Sequence, residues 1–269
     1  MSGTYTLAII GGGRMGEAIA AGLVSSGALG ADRIVVAEPS EQRREVFVRQ
    51  GISAVADGHE VAGDAEIVLL AVKPQVIDAV LAHMADEITP GALVVSIAVG
   101  VSTSRLEALV RPGTPVVRVM PNTPTMVGEG MAVVSGGSAA SSDDVERVRA
   151  LFEAVGQAVV IAEQAQDAAA AISGSGPAYA AMIVDALARA GVRQGLTRGI
   201  AQMLAVQTLR GTMELLARTG MHPEELVDAV TSPGGTTIAA VEALEAGGLR
   251  TAVSEAVSAA VQRAKELGS

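Results

Sequence analysis

Two short stretches of the chain have residue types and spacing suited to holding anions. In IIGGGRMGEAIAAGL, Gly11, Gly13 and Gly16 fall at the positions of a G-x-G-x-x-G pattern, after a β-rich run and before an alanine-rich helical pattern. Glycines there permit a tight turn, close approach of a pyrophosphate and close packing of helix on strand, while free N–H groups at the helix start attract the anion. A second β-rich run ends in Glu38, 22 residues beyond Gly16. Strand, turn, helix, strand and acid therefore stand in the order that dinucleotide binding requires. The other stretch, TSPGGTTIAAVEALEAGG at 231–248, has no histidine, cysteine or lysine. Pro233, Gly234 and Gly235 break the preceding helical pattern, and Thr236 or Thr237 stands where an N-cap would begin the next helix. Two readings are open: an ordinary helix cap, or N–H donors and two hydroxyls free for a carboxylate.

Further segments bear on the same chemistry. In LLAVKPQVI, Lys73 and Pro74 follow a strand-like run, and ligands of an open parallel sheet bind outside the carboxyl ends of its strands. The runs containing Ser96–Gly100 and Arg118–Pro124 end in the same way. Asn122, Thr123 and Pro124 are then either ordinary turn residues or part of that ligand edge. Ser173, Gly174, Ser175 and Gly176 interrupt a helical stretch, which by composition alone also suits a close helix crossing. Glu38 can accept hydrogen bonds from an adenosine ribose, which favours NADH. Arg14, Arg43 and Arg44 are placed either to pair with the 2′-phosphate of NADPH or to be solvated on a helix start, so the charge pattern is divided.

The elements that must position these residues are legible along the chain. Short β-rich runs (TLAII, RIVVA, ISAVA, AEIVLLA, ALVVSI, PVVRVM, MAVVSG and AVVIA) alternate with helical patterns to about residue 160, as a parallel α/β sheet requires. From Gln164 the chain reads as successive helices, broken near 191–195, 219–223, 232–235 and 247–248. The expected domains are therefore residues 1–162 (α/β, dinucleotide-binding) and 163–269 (all-helical). Hydrophobic residues make up 49% of the 269, yet aromatics only 1%. The core must be built from Ala, Val, Leu, Ile and Met, which suits helices crossing tightly over small residues. A net charge of −10 argues against nucleic-acid binding. Zero cysteines exclude disulfides, thiolate metal sites and a cysteine nucleophile, and no metal site is expected. No basic region and long apolar core precede the first strand-like run. The uncharged run 168–184 carries the Ser-Gly-Ser-Gly-Pro stretch that suits buried helix packing better than a bilayer span. A cytoplasmic protein without membrane attachment is expected.

The segments GGGRMG, AVKP, VMPNTP, SGSGPAY and TSPGGTT occur in the order found in pyrroline-5-carboxylate reductases, and the chain resembles that family over nearly its whole length. The last segment, continued by IAAVEALEAGGLR, is the most specific. The resemblance implies a Rossmann-type dinucleotide-binding domain followed by an all-α dimerisation domain, with helices interleaved between two subunits and the active site between the cofactor edge and the helical dimer. It implies a homodimer, with five dimers joining into a decamer in many members. Residues Gly11–Gly16, including Arg14 and Met15, match the family's cofactor loop; Val72, Lys73 and Ala98 match positions beside the cofactor, to which Glu38, Arg43, Pro74 and Asn122 are added as candidates. Ser232, Thr236 and Thr237 match the loop that holds the substrate carboxylate and ring nitrogen, with Gly234, Gly235 and Ser173 as further substrate candidates.

The activity so implied is reduction of 1-pyrroline-5-carboxylate to proline, with NADPH as the cofactor and NADH as the alternative that Glu38 favours. Hydride chemistry resides in the nicotinamide, so the protein need only orient the imine and hold its carboxylate, which such a mild segment as 231–248 can do. Thr237 would hydrogen-bond the ring nitrogen. Its hydroxyl is a poor acid, so the proton comes from solvent or from an already protonated iminium. The chain departs from many relatives at Ala170, around Asp57–His59, where an asparagine contacts ribose in some members, and at Gly220, where some carry a glutamate. A β-hydroxyacid dehydrogenase shares the outline but needs a lysine in its helical domain, and the only lysine after Lys73 is Lys265 near the C-terminus. A non-catalytic dinucleotide sensor is the alternative from another class, and the substrate-loop match argues against it.

Overall fold

The computed structural model describes residues 5–268. Eight strands form one sheet: β1 (Tyr5–Ile10), β2 (Ile34–Ala37), β3 (Ser53–Val55), β4 (Ala65–Leu70), β5 (Leu93–Ser96), β6 (Val116–Met120), β7 (Gly130–Gly136) and β8 (Gly156–Val160). Their order is β3-β2-β1-β4-β5-β6-β7-β8, with the direction of winding reversing between β1 and β4. Side chains of alternate residues enter opposite faces, as the two-residue period of a strand dictates. Leu7 and Ile9 join one core and Ala8 and Ile10 the other. The first core is covered by helices α1 (Arg14–Ser25), α2 (Glu41–Val48) and, later in the chain, α5 (Ser142–Glu153), through Ile19, Leu23, Phe47, Val148 and Phe152. The second is covered by α3 (Ile77–Met84) and α4 (Thr103–Glu107), through Ile77, Leu81, Met84 and Leu106.

All eight expected strands are present, but the sheet is not wholly parallel. β7 pairs antiparallel with β6, its Val134 opposite Val119. The cause is the length of the connection: residues 121–129 hold only a 3-10 turn at Thr123–Val127, and a parallel crossover needs about a dozen residues or more. β8 then returns parallel to β7 through α5.

Six further helices follow: α6 (Gln166–Ser173), α7 (Gly176–Arg193), α8 (Arg198–Thr219), α9 (Pro223–Ala229), α10 (Thr236–Ala246) and α11 (Leu249–Gly268). The chain divides into two compact units, one running to Ser175 and including the end of the chain from Ala260, the other spanning Gly176–Ala259. The division falls later than 162/163 because α6 is fastened to the sheet. Buried Gln166 donates its amide to the Val133 carbonyl at 3.1 Å and to Ser135 Oγ at 2.9 Å. Beside it, the half-buried Glu163 accepts from the Thr103 N–H at 2.8 Å, the Thr103 hydroxyl at 2.6 Å and the buried Arg118 guanidinium at 3.3 Å.

In the second unit α7 and α8 pack over small residues, as composition requires. Ala188, Ala201 and Ala205 are buried, and a Cβ at Gly191 would stand 3.0 Å from that of Ala201. The larger apolar side chains point outward: Met182 is 72% exposed and Met203 64%, with Leu187, Ile200, Leu204 and Met213 also uncovered. Gly220 terminates α8 at φ 65°, a left-handed cap that favours glycine and accounts for the absence of a glutamate there. Among the described residues, no helix is long and apolar enough to cross a membrane.

Candidate active site

The sheet gathers the expected cofactor residues of the first unit at the carboxyl ends of β1, β2, β4, β5 and β6. Backbone bonds continue past the strand ends: Gly11 N–H to the Ala37 carbonyl at 2.9 Å, Ala71 N–H to Ile10 at 2.8 Å, and Ile97 N–H to Leu70 at 3.1 Å. Gly11, Glu38, Val72 and Ala98 therefore follow neighbouring strand ends at the reversal of winding, where open α/β sheets bind ligands. Gly11 adopts φ 110°, and a Cβ there would stand 2.6 Å from the Ala71 carbonyl oxygen. A Cβ on Gly16 would strike the carbonyl oxygen of Gly11. Gly13 differs, because a Cβ there would meet nothing within 4 Å. It is the N-cap of α1, and the N–H groups of residues 13–16 have no partner among the described residues. Four such amides before open space form a cradle with the geometry to receive an anion such as a pyrophosphate.

The remaining candidates around the cradle have distinct tasks. Met15 packs on one core and Val72 on the other. Arg14 and Lys73 are exposed, and Pro74 opens the 3-10 turn ahead of α3. Ala98 is buried and donates its N–H to Ser96 Oγ at 3.3 Å. The Glu38 carboxylate accepts from the Gly12 and Ser40 N–H groups, each at 2.9 Å. Arg43 donates twice to the Gly12 carbonyl and pairs with Glu17. Gly12, not singled out by the spacing pattern, is required as well: a Cβ there would lie 2.8 Å from the Phe47 ring and 2.9 Å from Glu38 Cβ. At the departure near 57–59, Asp57 caps the following turn through the His59 N–H and meets His83 at 2.8 Å. Those two hydrogen bonds, the His59 amide first, hold its carboxyl below the usual range.

Asn122 is a brace between segments. Its amide donates to the Ser173 carbonyl at 2.9 Å, and its carbonyl oxygen accepts from the Met131 N–H at 2.8 Å. Ser173 itself donates its hydroxyl to Ala169 at 3.0 Å. Asn122→Ala leaves two groups unpaired and should lower stability by about 1–2 kcal/mol. Dinucleotide affinity per folded molecule should stay unchanged in a titration of the folded fraction; lost affinity at wild-type stability would make Asn122 a cofactor contact instead.

In the second unit Ser232–Thr237 forms a turn closed by the Gly235 N–H on the Ser232 carbonyl at 3.0 Å, with Gly234 at φ 66°. A Cβ on Gly235 would meet Ser232 Oγ, so a side chain there would have to displace the serine hydroxyl. The N-cap of α10 is Gly235, with no side-chain cap, so of the two open readings the ordinary threonine cap does not hold. Thr236 and Thr237 are its first two helical residues. Among the described residues, the amides of Thr236, Thr237 and Ile238 and both threonine hydroxyls have no partner. The turn thus offers three backbone donors and two hydroxyls, without a charged side chain, to an anion at the positive end of a helix dipole. Ser173 is the one expected substrate residue in the other unit.

Residues 163–267 match a family described as pyrroline-5-carboxylate reductase dimerisation, and residues 6–100 one described as NADP oxidoreductase, coenzyme F420-dependent. A pyrroline-5-carboxylate reductase of Synechocystis is 46% identical, over 97% of this chain and 98% of its own. Among solved structures, a pyrroline-5-carboxylate reductase from Coxiella burnetii is 36% identical and superposes with a TM-score of 0.94 over 99% of both chains. The Plasmodium falciparum pyrroline carboxylate reductase with NADP bound is 31% identical, with a TM-score of 0.88 over all of both chains.

Proposed function

The chain belongs to the pyrroline-5-carboxylate reductase family, and from that premise we propose how its own residues divide the work of reducing 1-pyrroline-5-carboxylate to proline with NAD(P)H. The observation that carries the reading is the start of α10, where amides and hydroxyls without a partner among the described residues are free to receive an anion, with no charged group of their own. They suit the substrate carboxylate, and the Thr237 hydroxyl suits the ring nitrogen. NAD(P)H, when bound, supplies the hydride that adds to C5. The C5=N π bond opens as its electron pair settles on nitrogen, which carries the proton of the iminium form or takes one from solvent. The amides at Gly13–Gly16 would hold the dinucleotide's pyrophosphate, and Val72, Lys73 and Ala98 stand at the same edge of the sheet.

In this reading 163–269 is the dimerisation and substrate-binding part and 1–162 the cofactor-binding part, with α6 fastened to the sheet. The uncovered Met182, Leu187, Met203 and Leu204 supply apolar area for the dimer. Five such dimers then assemble into a decamer, in the cytoplasm. Light scattering of the full chain should report a dimer or a multiple of it, and a fully active monomer would contradict this assignment. The activity is tested by following loss of NADH or NADPH with and without the imine. Oxidation should depend on the imine; binding without turnover would favour a dinucleotide sensor.

A further inference from the structure

We propose that Glu38 is the specificity-determining residue for the cofactor, excluding the 2′-phosphate so that NADH is used in preference to NADPH, while it also braces the glycine loop. The proposal rests on the reductase reading and deepens it. Glu38 directly follows the second strand, where an acidic residue meets the adenosine ribose of a bound dinucleotide. Here its carboxylate is fixed from two sides, Oε2 by the Gly12 N–H and Oε1 by the Ser40 N–H, each at 2.9 Å. Both oxygens retain lone pairs for ribose hydroxyls. A 2′-phosphate at the same place meets a fixed negative charge, with Glu41 in the first turn of α2 adding another.

Of the three arginines placed to meet a 2′-phosphate, Arg14 is exposed in the glycine loop, while Arg43 and Arg44, which flank the ribose end, are already engaged. Arg43 donates to the Gly12 carbonyl through Nε at 3.0 Å and Nη2 at 2.6 Å, and the same Nη2 pairs with Glu17 at 2.7 Å. Arg44 donates Nη1 to the Glu38 and Pro39 carbonyls, at 2.8 and 2.7 Å. Turning Arg43 toward a phosphate would release the loop that holds the pyrophosphate. NADPH remains a substrate, but it binds against this arrangement, whereas NADH binds with it.

The test is the ratio of kcat/KM for NADH to that for NADPH, with dissociation constants of both nucleotides from fluorescence titration. In the wild type the ratio should favour NADH by roughly ten-fold or more, since like charges brought together cost at least the equivalent of one decade. Glu38→Gln and Glu38→Ser should each bring it toward unity, chiefly through tighter NADPH binding. Arg43→Ala should weaken both nucleotides alike, because it loosens the loop they share. A wild type that prefers NADPH, a ratio unmoved in both Glu38 variants, or an Arg43→Ala loss confined to NADPH would each overturn the proposal. Should the imine prove not to be reduced, the reductase reading falls, while the two dissociation constants still decide the role of Glu38.

Discussion

Replacing Thr237 with alanine should lower catalytic efficiency by roughly 2-fold to 150-fold while leaving the fold and dinucleotide affinity nearly intact. The range corresponds to one lost hydrogen bond, about 0.5–1.5 kcal/mol when neutral and 1.5–3 when one partner is charged. A group bonded to the ring nitrogen matters most as the imine becomes an amine, so the loss should appear in kcat as well as in kcat/KM. The position of the side chain separates this from a structural effect. Gly235, not Thr237, is the N-cap of α10, and the Thr237 hydroxyl has no partner among the described residues. Removing it breaks no bond among the described residues. A capping threonine would instead cost about 1 kcal/mol of stability. Thermal midpoint, nucleotide titration and steady-state kinetics on one preparation read all three quantities. Intact kinetics with a lowered midpoint would remove Thr237 from the substrate.

The second large effect is expected at Gly13. Alanine at Gly11 or Gly16 would collide with the Ala71 or Gly11 carbonyl, so those changes report on folding before they report on binding. Gly13 has φ −69° and ψ −177°, values open to any residue, and a Cβ there meets nothing within 4 Å. Gly13→Ala should therefore leave the unliganded protein near its wild-type stability. Alanine is a poorer N-cap than glycine, but it restricts the unfolded chain, and the two effects offset. The added methyl instead fills space that the second glycine of the loop keeps for the pyrophosphate. At about 1–3 kcal/mol for forced overpacking, the dissociation constants of both NADH and NADPH should rise roughly 5- to 150-fold. Unchanged constants would mean that the amides at 13–16 are not the cradle.

Much of this arrangement is legible in the sequence, because strand ends and turn chemistry are local. The β-rich runs name all eight strands, and the glycine spacing marks the start of α1. Pro233, Gly234 and Gly235 mark the break before α10. What spacing cannot carry is which distant group satisfies which amide. Nothing local tells that Glu38 accepts from Gly12, 26 residues away, or that Asn122 reaches Ser173, 51 residues away. The direction of β7 was open to inference, since residues 121–129 are too few for a crossover, but the β-rich composition that signals a strand is the same in either direction. For the threonines of TSPGGTT, residue type alone leaves a helix cap and a free pair of hydroxyls equally open. Gly235 holds the cap with its backbone alone, and the hydroxyls are left over. Gly12 was hidden because the motif counts glycines at fixed positions and not the ring of Phe47 that excludes a Cβ there.

The most direct measurement follows the transferred hydrogen. Reduced dinucleotide carrying deuterium at both C4 positions of the nicotinamide is incubated with the protein and 1-pyrroline-5-carboxylate in ordinary water, and the product is examined by mass spectrometry and NMR. Proline carrying one deuterium, at C5, formed one for one with oxidised dinucleotide, is the expected result. Cofactor oxidation without proline, or proline with only solvent hydrogen at C5, would contradict it.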